Sequence, residues 1–83
     1  MKQDIEQKVI HDFNKNEADI ALQLLDEFEK KNKHSPRITR CIVAIANGNL
    51  ENLNNTLAIA EYDWRDVILE AEKFNYQYNF PFK

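Results

Sequence analysis

Catalysis needs a nucleophile beside a base, a set of metal ligands, a phosphate cradle or paired carboxylates in an apolar pocket. This chain is short of each. Its candidate nitrogen and sulfur ligands are His11, His34 and Cys41, and no two have the spacing of a zinc motif. His34 and Cys41 could meet across the start of a helix. However, Cys41 falls on an apolar stripe, where a thiol packs as a small hydrophobe and holds its proton. Ser35 precedes Pro36 and has a sufficient structural duty as a helix cap. The acids Glu61, Asp63, Asp66 and Glu70 lack the glycine and alternating oxygen ligands of a calcium loop. Asp63 and Asp66 suit the helix start on which they fall. Carboxylates are plentiful, but no pattern places two of them in an apolar pocket. The expectation is a protein that is not an enzyme and has no catalytic residues, no metal and no cofactor.

Binding chemistry has more material. Lys30, Lys31, Lys33, Arg37 and Arg40 form one basic block of charge +5 between stretches of −5 (residues 1–29) and −3 (residues 41–83). At a helix–helix corner such a block could meet phosphate, as in a DNA-reading helix-turn-helix. Against that, three of the lysines have acids four residues earlier, Asp26–Lys30, Glu27–Lys31 and Glu29–Lys33, in the favoured orientation. The helix that follows is also too apolar to lie exposed in a groove. A solvated helix end is the plainer reading, and nucleic acid is the weaker one. Trp64, beside Tyr62, is a candidate binding anchor, although the first turn of an inward-facing helix more often makes such a residue a core wedge. Arg65 is expected to pair with Glu61.

The last nine residues, 75–83, alternate Tyr76, Tyr78, Phe80 and Phe82 with Asn75, Gln77, Asn79 and Pro81. Period two places all four rings on one side of an extended segment, and Pro81 disfavours helix at Phe80. Such a tail asks for a surface to cover, either its own bundle or a partner.

The elements that would position these groups are helical. Only one glycine and two prolines occur in 83 residues, too few turn formers for a sheet protein. Ile5, Val9, Ile10 and Phe13 define a first helix over about 2–13. A break at Asn14-Lys15-Asn16 follows, with Asn16 as a possible cap, although one bent helix is also compatible with the pattern. Ala18, Ala21, Leu22, Leu25 and Phe28, widened by Ile20 and Leu24, mark a second helix over 17–32. A third runs from Pro36 to about Asn47 with Ile38, Cys41, Ile42 and Ile45 on its stripe. Arg37, Thr39, Arg40 and Asn47 are its only polar members, so it should be central. Gly48 supplies a left-handed end. Asn49 caps a fourth helix with Leu50, Leu53, Leu57 and Ala60 inward, and the two-residue link makes an αα-hairpin. Asp63 caps a fifth helix, with Trp64, Val67, Ile68, Ala71 and Phe74 apolar.

The segment Ala44-Ile45-Ala46-Asn47-Gly48-Asn49-Leu50-Glu51 resembles the helix-turn-helix of ankyrin repeats. The proline-to-glycine distance is longer than in that repeat, and the unit does not recur, so the likeness is one of hairpin physics. Arg40-Cys41-Ile42, Gly48-Asn49-Leu50 and Asp63-Trp64-Arg65-Asp66-Val67-Ile68 together resemble small bacterial all-helical proteins of unassigned function. That likeness covers residues 37–72, implies a compact helical domain and carries no site residues.

The chain is 43% apolar and 30% charged, with net charge −3, as in a globular domain of an aqueous compartment. It has no apolar run near the roughly 20 residues of a membrane span and no signal-like start. Its single cysteine fits a reducing cytoplasm. A chain of this size buries only roughly 60–65% of its unfolded surface, so its stability margin is thin. The expectation is one all-α domain over 1–83: a compact bundle of four to five short helices with an extended aromatic C-terminal tail. The expected role is a protein-interaction module with a protein partner or a second copy. The alternatives are a nucleic-acid-associated regulator using the basic patch and a small acidic immunity- or antidote-type protein.

Overall fold

A computed structural model describes residues 1–32 and 35–73. They form four helices: α1 (Gln3–Asp12), α2 (Lys15–Asn32), α3 (Pro36–Ala46) and α4 (Leu50–Lys73). The tail residues Tyr76, Tyr78, Phe80 and Phe82, with Phe74, Lys33 and His34, lie outside the described residues.

The helix ends follow local chemistry. α1 and α2 are separate helices, because Phe13 is extended (φ −93°, ψ 151°). Asn14, rather than Asn16, caps α2: its Oδ1 accepts the Glu17 N–H at 2.8 Å, and its Nδ2 donates to Glu17 Oε1 at 3.0 Å. A side-chain oxygen three residues ahead of an orphan N–H is the geometry a cap requires, and Asn16 already lies inside the helix. Ser35 is extended at the start of α3, but its hydroxyl makes no capping bond. Pro36, with its preset φ, opens this helix instead. At the other end both Asn47 (φ 48°) and Gly48 (φ 78°) are left-handed. A β-carbon on Gly48 would also run into the backbone carbonyl of Asp12. Glycine is therefore required twice over, by its torsion and by the approach of the α1 end. Asn49 Oδ1 accepts the Asn52 N–H at 3.0 Å and caps α4.

α4 is hydrogen-bonded along its length but bends at Asp63, whose torsions are non-helical (φ −154°, ψ 99°). The Asp63 carboxylate accepts the Arg65 N–H at 3.1 Å, as a cap for the arm that follows. The expected fifth helix is therefore the second arm of α4.

α3 is the centre. Every residue from Ile38 to Ala44 is buried, and so is Ala46. It packs most extensively on α4, and α1 rests on both α2 and α3. Ile5, Val9 and Phe13 of the first segment, Ala18, Ala21, Leu25 and Phe28 of α2, and Leu53, Leu57, Ala60, Val67 and Ala71 of α4 close the core. Burying a large aliphatic side chain contributes roughly 1.5–3 kcal/mol, so Ile5, Leu25, Ile42 and Leu53, all fully buried, carry much of the stability. Ile10 and Ile20 depart from expectation, being 60% and 49% exposed. Each follows a buried-face residue by about 100–200° around its helix, and the faces in contact are narrower than the stripes.

Candidate functional site

Of the basic block, Lys33 lies outside the described residues and Arg40 does not reach the surface. Arg40 is 2% exposed and is turned into the bundle. Its Nε and Nη2 donate to Asp4 Oδ2 and Oδ1 of α1, both at 2.8 Å. This is the bidentate geometry that gives an arginine–carboxylate pair its strength and direction. Arg37 reaches Glu72 of α4 at 3.4 Å. Lys30 pairs with Asp26 at 3.0 Å, one turn back. Lys31 turns to Glu61 of α4 at 3.6 Å, not to Glu27. The patch inferred from adjacency in sequence is thus divided between a buried cross-helix clamp and ion pairs in three directions.

The second polar residue of that turn behaves in the same way. Thr39 is fully buried and donates its hydroxyl to Glu29 Oε2 of α2 at 2.9 Å. Arg37, Thr39 and Arg40, the polar minority of an apolar helix, therefore reach α4, α2 and α1 respectively. Burying Thr39 and Arg40 is tolerable because each has a partner; alone, each would cost far more than it returns. Cys41, next in line, is fully buried. Burial pushes its thiol up to about 11; Arg37 opposes the shift and Glu72 adds to it. A thiol held protonated in this way is a poor nucleophile and a poor ligand. Among the described residues, no three His, Cys, Asp or Glu side chains come together as a metal ion would need.

The outward-facing candidate is the elbow of α4. Trp64, expected inward, is 40% exposed, and Ile59, Tyr62 and Leu69 are 43%, 92% and 61% exposed. The bend at Asp63 sets the phase of the arm that follows, whose inward positions go to Val67 and Ala71 rather than to Trp64 and Leu69. Arg65 folds back on Asp63 at 3.2 Å rather than pairing with Glu61. Its guanidinium holds the Asp63 carboxyl below the usual carboxylate range.

Between the two arms lies an open cleft of about 240 Å³. Asn52, Asn55 and Ile59 line it from the first arm, Asp66, Val67 and Glu70 from the second, and Ile45 of α3 closes one side. Thr56 is buried beneath it and donates to the Asn52 carbonyl at 2.7 Å. In the sequence Asp66 and Glu70 are weak calcium candidates, and of the two only Asp66 has a helix-start duty. Asn52 and Asn55 carry no signal in the sequence beyond a low helix propensity. Their joint signal is polar side chains three (Asn52, Asn55) and four (Asp66, Glu70) residues apart on either side of a capping aspartate, and it acquires meaning only with the bend.

No family model, curated protein or solved structure matches the chain. The functional reading therefore rests on this geometry. Among the described residues, no helix is long and apolar enough to cross a membrane.

Proposed function

We propose that the chain is a non-enzymatic protein-interaction module whose contact surface is centred on the elbow of α4. The observation that carries this reading is the exposure of Ile59, Tyr62, Trp64 and Leu69 within one stretch on either side of Asp63. Exposed apolar groups scattered singly need no explanation, but aromatic and aliphatic side chains gathered at one bend offer a partner the kind of anchors that dominate interface energies. The aromatic residues of 75–83 could extend such a surface, and with it a homodimer is as open as a heterocomplex. The nucleic-acid alternative is less well supported, because Arg40 is unavailable and Lys30, Lys31 and Arg37 each lie within ion-pair distance of a carboxylate.

The test compares the wild-type chain with the exposed-site double variant Tyr62→Ser with Leu69→Ser. Both are crosslinked in extracts of the native host, and the intact complexes are weighed. The expected result is a stoichiometric complex that disappears in the variant while the melting temperature is unchanged. No complex, or one indifferent to both substitutions, would sink the reading.

A further inference from the structure

Beyond the first turn of α4, where Glu51 stands, its acids divide into two sets. Glu61, Asp63 and Glu72 each meet a cation, on Lys31, Arg65 and Arg37. Asp66 and Glu70 meet none: among the described residues neither carboxylate makes a hydrogen bond or an ion pair, although both line the same cleft. The carboxamides of Asn52 and Asn55 line it as well and are likewise unengaged there. Ile45, Ile59 and Val67 supply the apolar part of the lining. Two carboxylates and two carboxamides around a small apolar surface are complementary to a cation carried on an aliphatic stem. An arginine or lysine side chain is such a group, since its stem packs while its head keeps polar partners. The volume of about 240 Å³ lies below the roughly 300–1,000 Å³ of small-molecule sites, and it suits one or two side chains better than a cofactor.

We infer that the elbow cleft of α4 receives a basic side chain, flanked by an apolar one, from a segment of a partner protein. This rests on the reading of the chain as an interaction module and gives the partner its chemistry. Asp66 and Glu70 receive the cation, Asn52 and Asn55 orient it, and Ile59 packs against the neighbouring apolar group.

The experiment uses the full chain, isotope-labelled for amide NMR. It is titrated with an amphipathic peptide of leucine and arginine and with a leucine–glutamate peptide of equal length. The basic peptide is expected to shift the amides of Asn52, Asn55, Ile59, Asp66 and Glu70, and the acidic one to leave them in place. Asp66→Asn combined with Glu70→Gln should weaken binding about five- to tenfold, as for two partly exposed charge pairs. Asp19→Asn, an exposed acid on α2, should change nothing. Four results would overturn the inference. They are shifts spread over every acidic surface, equal binding of both peptides, an affinity indifferent to the double variant, or binding only after residues 75–83 are removed. The last would make the chain's own tail the occupant. Self-association abolished by the double variant would make a second copy the occupant and overturn it likewise. The Tyr62 and Leu69 variant tests the broader reading separately: loss of the partner there with a silent cleft would retain the module and discard this site.

Discussion

The opening turns of α3 and the elbow of α4 carry the same kinds of side chain, polar ones set among apolar ones, and use them in opposite ways. In α3 the polar groups point inward to neighbouring helices. Arg40 grips Asp4, Thr39 bonds Glu29 and Arg37 meets Glu72. At the elbow, Asp66 and Glu70 face an open cleft with no partner among the described residues. The difference lies in what surrounds each element. α3 has helices on most of its sides, so its buried polar residues, Thr39 and Arg40, take their partners within the fold. At the elbow Glu61, Asp66 and Glu70 are exposed, and Asp66 and Glu70, without a partner among the described residues, remain available to something else. A charged residue in a small domain thus belongs to the scaffold or to the surface according to the number of helices around it.

The hardest way to break this contrast is Arg40→Ala. It leaves the Asp4 carboxylate partly buried without its arginine, a loss of about 3–5 kcal/mol. In a domain of this size each kcal/mol shifts the melting temperature by roughly 4–8 °C, so a fall of about 15 °C or complete unfolding is expected in a thermal melt. Replacing both partners, Arg40→Met with Asp4→Leu, should recover much of that loss. A wild-type melt for Arg40→Ala would mean that the clamp contributes nothing.

A gentler probe of the same interior is pH. The folded Cys41 thiol keeps its proton up to about 11, against an ordinary value of 9.0. Between those values the unfolded chain loses the proton first. The contribution is therefore fully present below pH 9.0 and is lost as pH rises toward about 11. Urea midpoints measured across that range should fall with pH, and a Cys41→Ala variant should lose that part of the slope. A midpoint equally steep in both would place the effect elsewhere.

The smallest expected effect sharpens the contrast from the other side. Asp66→Asn with Glu70→Gln removes two charges that hold nothing together. Its stability should stay within about 0.5 kcal/mol of the wild type in urea denaturation. A large loss would move the elbow into the scaffold.

Much of the fold was legible beforehand because it follows from local chemistry. The stripes of α2 and α3, the Asn49 and Asp63 caps and the left-handed Gly48 are each set by residues within a turn or two of one another. The errors had the same local origin. Asn14 and Asn16 are both good caps by type, and only the position of the chain break at Phe13 selects the first. Ile10, Ile20 and Trp64 lie on apolar stripes, yet the covering surface stops short of them. Within the basic block the departure is Arg40, which turns into the bundle while Lys30, Lys31 and Arg37 stay exposed. Adjacency in sequence says nothing about partners: Arg37 and Arg40, one turn apart on α3, reach Glu72 of α4 and Asp4 of α1. The cleft was not legible, because it depends on two arms of one helix meeting at an angle.

The amino-acid sequence by itself determined an all-helical chain, its breaks and its central element, since periodicity, capping and scarce glycine act over a few residues. Tertiary structure alone decided which charges are spent inside and which remain outside. That outcome depends on what each side chain meets across the bundle, over separations as long as the 36 residues between Asp4 and Arg40, and no local pattern encodes it.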